Sequence, residues 1–395
     1  MSFLEQLNIP PDFTGIHATK WERVKNIGSE GVLPLWIADM DFEIAPEIKK
    51  AVSERAQIGF YGYTEKEPAY FEAVKNWFLK RHNWAINTEW ILNTPGVICA
   101  IHTAINAFSE KDDYILIQPP VYHPFFRVIK RTERKVLESP LIERDGDYEI
   151  DFSDFEEKIR KYSPKIFILC NPHNPIGKIY TKEELLRFGD LCDKYNVLIL
   201  SDEIHADLTA PGIVHIPLGS LGEKYALNSI ICTAPSKTFN LAGLHFSNIM
   251  IQNEELRNKF QTAFQAAGIP DSNLFALTAS KAAYQYGGQW LDSVREYILQ
   301  NRLYAEQYLR ENIPSVKFAK AQGTYFIWLD FRSLGLGNKE LEAFLLDKAK
   351  IWLNQGYEFG KEGGGFARLN LATQRSILEK ALEQLKDAVS AFILD

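Results

Sequence analysis

The chain has 395 residues, 46% apolar and 24% charged, an ordinary globular composition with material for a large domain and a smaller one. A formal net charge of −7, with Lys130, Arg131, Arg134 and Lys135 as a short basic group beside acids, argues against a nucleic-acid surface, whose usual footprint is a basic stripe. No apolar run approaches the ~20 residues of a membrane span, and there is no low-complexity tract or internal repeat.

The N-terminus, Met1-Ser-Phe-Leu-Glu5, lacks the basic-then-apolar pattern of a secretory leader. Cys99, Cys170, Cys192 and Cys232 are widely spaced, three of them in apolar runs, and read as reduced residues of a cytoplasmic protein. There is no Cys-x-x-Cys or His-Glu-x-x-His pattern, so no metal site is expected.

From about residue 90 to 255, short apolar runs alternate with helical patterns. Tyr114–Gln118, Lys165–Cys170, Val197–Ser201, Ser229–Cys232 and Ser247–Ile251 read as buried strands, with a helix over Lys182 to Tyr195. That alternation predicts an α/β fold with a mostly parallel, seven-stranded type of sheet flanked by helices. Ligands collect at the carboxyl ends of such strands. After residue 272 the pattern becomes a long helical stretch to about Asn312, with a break at Gly287-Gly288. A strand over Gly323–Asp330 follows, then a helix over Asn338–Lys350. A last helix has Ile377, Leu378, Ala381, Leu382, Leu385, Ala388, Val389 and Phe392 on one face. We read residues 50–285 as a large cofactor-binding domain, and residues 1–49 with 286–395 as a small α+β domain.

Four polar clusters fall at the expected strand ends, each of them weak alone. Asn171-Pro-His-Asn-Pro-Ile-Gly177 is a stiff loop and could be a plain turn. Ser201-Asp-Glu-Ile-His205 places two acids and a histidine after a buried strand, where an acid is often only a cap. Ala234-Pro-Ser-Lys-Thr-Phe-Asn-Leu-Ala-Gly243 sets Lys237 between two apolar strands. An apolar site lowers a lysine's pKa and makes it a usable nucleophile and base, though most lysines are surface ones. In Gly363-Gly-Gly-Phe-Ala-Arg-Leu-Asn-Leu-Ala372 the glycines suit a hairpin or a close approach to a ligand. Arg368 there is a planar fork suited to a carboxylate, or else an exposed arginine on an edge strand.

Taken together, Asn174, Asp202 and Lys237, 28 and 35 residues apart, with Arg368 near the end, resemble the fold-type I pyridoxal-phosphate enzymes, the aspartate aminotransferase superfamily. The resemblance covers nearly the whole chain and implies pyridoxal 5′-phosphate as cofactor. It implies that Lys237 carries the cofactor, Asp202 pairs with the pyridine nitrogen, Asn174 bonds the ring's phenolic oxygen and Arg368 clamps the substrate α-carboxylate. Gly96, Val97 and Ile98, at the start of an apolar helix, match the phosphate cup. Tyr122 matches the aromatic stacked on the ring. Tyr63, in Tyr61-Gly-Tyr-Thr64, resembles the tyrosine reaching the phosphate from a neighbouring subunit, which implies a homodimer with shared sites.

Pro34-Leu-Trp-Ile-Ala-Asp-Met-Asp-Phe42 resembles the signature of one branch, the MalY/PatB-type cystathionine β-lyases or C–S lyases. Ala234 and His245 stand where aminotransferases tend to carry a serine and an arginine, and His205 where they often have a tyrosine. The branch resemblance puts Ser236, Thr233 and His205 among the cofactor contacts and Ala38 and Asn354 beside the substrate. The implied reaction is α,β-elimination from a small sulfur amino acid such as cystathionine or cysteine, with Lys237 as general base. It yields a thiol, pyruvate and ammonia. An aminotransferase of the same fold is the alternative, and a regulatory protein on this fold with residual lyase activity is a second. A nicotinamide dehydrogenase is disfavoured, because no Gly-x-Gly-x-x-Gly opens a βαβ unit.

Overall fold

The structure is a computed structural model that describes residues 3–27, 30–269 and 273–394. Met1 and Ser2, part of the leader reading, lie outside the described residues.

Seven strands build the main sheet: β1 (Ile91–Thr94), β2 (Tyr114–Ile117), β3 (Lys135–Glu138), β4 (Ile166–Cys170), β5 (Leu198–Asp202), β6 (Ser229–Thr233) and β7 (Ser247–Met250). Their spatial order is β1-β7-β6-β5-β4-β2-β3. The neighbours from β6 to β3 pair parallel, and β7 runs antiparallel to both β1 and β6. Every residue of β4, β5 and β6 is buried, as expected for strands covered on both faces. Their Ile, Leu and Phe side chains suit that environment, and each fully buried Ile or Leu contributes roughly 2 kcal/mol.

Two helices show how local sequence sets the flanking layers. Helix α1 (Val97–Phe108) follows β1 directly, and its apolar residues Ala100, Ile101, Ala104 and Ile105 are buried. Helix α2 (Lys182–Lys194) begins at Thr181, whose hydroxyl accepts the Glu184 N–H while the Glu184 carboxylate accepts the Thr181 N–H. This reciprocal cap satisfies donors that a helix start leaves open. The long helical stretch is two helices, α3 (Leu274–Tyr286) and α4 (Gly288–Asn312), divided at the expected glycine pair.

A second, antiparallel sheet has the order β8-β9-β11-β10, formed by β8 (Lys317–Phe318), β9 (Phe326–Asp330), β10 (Asn354–Gln355) and β11 (Phe366–Asn370). Helix α5 (Arg375–Leu394) lays the buried stripe Leu378, Ala381, Leu382, Leu385 and Val389 against Ile327, Leu329 and Leu369 of this sheet. Two expectations are corrected in this region. The strand read over Gly323–Asp330 begins only at Phe326, because Thr324 sits at φ +63° and breaks the extended backbone. The helix read over Asn338–Lys350 is α-helical to Ala343 and then widens into a π turn at Phe344–Lys348. Leu33–Pro34 pairs in parallel with Ile351–Trp352, which aims the next residues of the N-terminal segment across the end of the main sheet.

Candidate active site

Cys170, Asp202 and Cys232 face one another across β4, β5 and β6, so the loops leaving these parallel strands open at one edge. Asn174 lies four residues beyond β4 and Lys237 four beyond β6; Asp202 closes β5 itself. These loops surround a cavity of about 330 Å³. Its wall includes Ala38, Gly96, Val97, Ile98, Tyr122, Asn174, Asp202, His205, Ser236 and Lys237. Gly96 caps α1 at φ +109°, a conformation that favours glycine, although an added Cβ would meet no atom within 4 Å. The first N–H groups of the 12-residue α1 therefore start at the cavity wall, with the positive end of the helix dipole.

Charges in and around the cavity are unusual for buried groups. Asp202 is buried, and burial pushes its carboxyl up to about 7; the Ile204 N–H, donating at 3.1 Å, and the Lys237 charge act the other way. Lys237 is half-buried, and desolvation holds its amine below the usual lysine value against the opposite pull of Asp39. His205 is kept neutral by burial, with the charges of Lys237 and Arg368 adding to that effect, and its buried Nδ1 has no hydrogen-bond partner among the described residues. His123 is pushed down to about 4 by burial and by the charges of Arg127 and Arg368.

Arg368 stands on β11, opposite both Trp328 of β9 and Asn354 of β10. It is an inner-strand residue and 2% exposed, not the edge-strand arginine that was the plainer reading. It donates to Asn174 Oδ1 at 2.8 Å, to Asn354 Oδ1 at 2.5 Å and to the Trp36 carbonyl at 3.0 Å. Its guanidinium lies 3.9 Å from the Phe326 ring centroid. Among the described residues Arg368 Nε has no hydrogen-bond partner, and burial lowers the group to about 10. A buried cation held by neutral oxygens has unmet capacity for an anion. The glycines before it make a close approach to the chain itself, not to a ligand: a Cβ on Gly363 would sit 2.0 Å from the Gly356 carbonyl oxygen.

The segment from Trp36 to Phe42 crosses this edge without a strand ladder, and side chains from distant positions accept the task of binding its carbonyls. Arg368 takes that of Trp36. Asn370 Nδ2 takes those of Ile37 and Asp39, both at 2.8 Å. Lys237 Nζ and the Tyr325 hydroxyl both donate to Ala38 at 2.8 Å. Asn240 takes Met40 and Phe42 at 3.0 Å, and Gln374 takes Asp41. Asn240, Asn370, Gln374 and Tyr325 were not singled out by the sequence. Asn240 lies within the Lys237 loop and Asn370 in the Arg368 strand, so a polar residue in each motif was the available signal.

Four expected site residues do not line the cavity of a single chain: Arg368 reaches it through its bond to Asn174, Asn354 is bonded in turn to Arg368, and Thr233 and Tyr63 lie elsewhere. The Thr233 hydroxyl donates to the Asn248 carbonyl at 3.4 Å, a bond between β6 and β7, and Thr233 is absent from the cavity wall. Tyr63 is fully exposed on the surface, near exposed Ile58, Phe60 and Tyr61. His245 does line the cavity, at φ +51°. Among the described residues no group of His, Cys, Asp and Glu could hold a metal ion.

The model of the aminotransferase class I and II family matches residues 30–385. The chain belongs to this family. Among its relatives, cystathionine beta-lyase PatB of Bacillus subtilis is 42% identical, over 95% of this chain and 97% of that protein. Protein MalY of Escherichia coli is 33% identical, over 96% of this chain and 97% of its own. The crystal structure of cystalysin from Treponema denticola, which contains pyridoxal 5′-phosphate, superposes with a TM-score of 0.95 at 36% identity, covering 98% of each chain. The family match spans both sheets, and so places the cavity and Arg368 within one family fold.

Proposed function

We propose that this chain is a pyridoxal-phosphate-dependent C–S lyase, which converts cystathionine- or cysteine-type substrates and water to a thiol, pyruvate and ammonia. The observation that carries the reading is the convergence of Lys237, Asp202 and Asn174 on one cavity, with Arg368 bonded to Asn174, in a chain 42% identical to a cystathionine beta-lyase.

The residues present fit the cofactor. Asp202, a buried carboxyl with a raised pKa, suits a ring nitrogen whose N–H⁺ would restore its charged form. The open N-terminus of α1 beside Gly96 suits a phosphate; His245 and Ser236 line the same cavity. Lys237, with a lowered pKa, suits a covalent link to an aldehyde. Tyr122 supplies an aromatic face, and Asn174 has its amide nitrogen left for the ring while its oxygen serves Arg368. When bound, the cofactor supplies an electron sink for the pair released at the substrate Cα.

In this reading Arg368 grips the substrate α-carboxylate, joined by Asn354 and by the backbone at Ala38. That grip fixes which Cα bond faces the ring. The Lys237 amine then takes the Cα proton as general base, while Asp202 holds positive charge at the ring nitrogen. A thiolate leaves Cβ, and water replaces the amino group of the three-carbon remainder to give pyruvate and ammonia. Thiolates are good leaving groups, so a sulfur at Cβ directs the reaction to elimination.

The same proposal includes a homodimer. The exposed Ile58, Phe60, Tyr61 and Tyr63 are apolar surface that a second copy would cover, and that copy would receive Tyr63 in its site. Cytoplasmic residence belongs to the proposal too, on the ground that all four cysteines are free. So does the division into residues 50–285 and residues 1–49 with 286–395, which leaves each sheet whole.

The test is product analysis. Cystathionine supplied alone should give equal amounts of homocysteine and pyruvate, and Lys237→Ala should abolish both, together with borohydride fixation of the cofactor. Efficient amino exchange between alanine and a keto acid, with no thiol released from cystathionine, would move the assignment to an aminotransferase.

A further inference from the structure

The Ala38 carbonyl accepts two hydrogen bonds, from Lys237 Nζ and from the Tyr325 hydroxyl, each at 2.8 Å. A carbonyl oxygen has two lone pairs, so this acceptor is fully used. Tyr325 is completely buried. Its ring packs 4.7 Å from that of Phe326 and 5.8 Å from that of His205. Its carbonyl accepts the Leu371 N–H at 2.8 Å.

The backbone before Tyr325 is held in a costly conformation. Thr324 is β-branched, and its φ of +63° lies where such residues are outliers. A buried arginine on α4 secures it: Arg302 Nη2 donates to the Thr324 carbonyl at 3.2 Å and to the Phe326 carbonyl at 3.0 Å. Such strain persists only where surroundings over-determine it, and it concentrates at functional sites. Here its effect is to deliver one phenol to one carbonyl, the carbonyl on which the Lys237 amine rests.

We propose that Tyr325 is a positioning residue for Lys237: its hydroxyl holds the Ala38 carbonyl as a fixed rest for the lysine amine, with Arg302 and Thr324 as its brace. The proposal rests on the reading of Lys237 as the cofactor lysine and base. A lysine released from the cofactor has four rotatable bonds to search, and a rest at a fixed place keeps its nitrogen near the substrate Cα. Sharing the carbonyl with a phenol also limits what that oxygen can give to an ammonium, which favours the neutral amine a base needs.

The experiment compares wild type with Tyr325→Phe, which keeps the ring and removes one oxygen. In cofactor-free full-length protein, the pH midpoint of Lys237 acetylation by trace acetic anhydride, read on the Lys237 peptide, should rise by about half a unit. In the cofactor-loaded enzyme kcat should fall about tenfold with KM within about twofold, and the α-deuterium isotope effect on kcat should grow as proton transfer becomes slower. An unchanged acetylation midpoint together with an unchanged isotope effect overturns the proposal. Should Tyr325→Phe fail to fold, 3-fluorotyrosine in place of Tyr325 keeps the bond with a stronger donor. It should move the midpoint downward, and no movement overturns the proposal equally. Mapping the borohydride-fixed cofactor in wild type separates the two levels. A label on another lysine removes the underlying reading, whereas a label on Lys237 leaves the Tyr325 result to judge this inference alone.

Discussion

Asp202 and Arg368 are buried charges of opposite sign, and among the described residues neither has an ion-pair partner. For Asp202 this has a pH signature. Its ordinary value is 3.8 and its folded value about 7. Between those limits the folded chain keeps a proton that the unfolded chain has lost, so the stability of cofactor-free protein falls as pH rises through that window. Glu203 and Lys237 modulate the shift with opposite signs. Asp202→Asn removes the penalty. Denaturant unfolding of cofactor-free protein should find the variant more stable than wild type at pH 8, by about 2 to 4 kcal/mol, with the gap closing toward pH 5. Turnover of the loaded variant should nonetheless fall by orders of magnitude; a pH-independent gap would count against Asp202 as the titrating group. At this scale the sequence was legible where a polar residue interrupts an apolar pattern, as at Asp202 and Lys237. It was silent where polarity is hidden inside a good strand, as at Tyr325, whose neighbours Phe326, Ile327 and Trp328 are buried strand residues. Residue pattern alone did not separate Asp202 from Glu203; the family resemblance did. Adjacent residues point to opposite sides of a strand, and Glu203 turns away to bond Ser201, His215 and the Leu218 N–H.

The elements around the site are joined by single side chains, of which Asp207 does the most. Its carboxylate accepts from Trp77 at 3.0 Å and bonds His82 at 2.8 Å, both on the helix Pro68–His82, and accepts from Thr238 beside Lys237 at 2.8 Å. Burial opposes its ionisation, yet His82, Thr238 and Trp77 hold the carboxyl below its ordinary value. Its contribution is therefore present above the unfolded pKa and is lost as pH falls through the lower folded one. Asp207→Ala leaves three buried donors without an acceptor. Urea unfolding at pH 7 should register a loss of about 3 to 5 kcal/mol, with Asp207→Asn in between. A loss under about 1 kcal/mol would mean the helix is held by packing alone. Strands and helices were mostly readable here, because β4, β5 and β6 are continuous apolar runs and α5 keeps its stripe. The reversed direction of β7 was not. Strand direction depends on how the loop carrying Lys237 turns back, and no periodicity encodes that. The π turn at Phe344–Lys348 was equally invisible, since it keeps a helical pattern while widening the coil.

At the scale of the whole molecule, the exposed Tyr63 makes the proposed pairing of chains testable by complementation. Lys237→Ala and Tyr63→Ala subunits should each be nearly inactive. Mixed and allowed to exchange, they should recover up to about a quarter of wild-type activity, because half of the chains enter hybrids and each hybrid has one intact site. Full activity from a monomeric fraction on a sizing column would contradict a shared site. The place of Tyr63 in this proposal comes from the resemblance, since in one chain it is an exposed surface side chain. The bonds to segment 36–42 also bear on how the protein is made. Ile37 and its partner Asn370 are 333 residues apart. At ~5–20 residues per second, a ribosome needs roughly 15 to 70 seconds to deliver the second after the first. Through that interval the signature segment has emerged while Asn370 and Gln374 are still to be translated. The catalytic edge is thus among the last regions to close, and a transcript truncated shortly before Phe366 would yield a chain holding every strand of the main sheet and no finished active site.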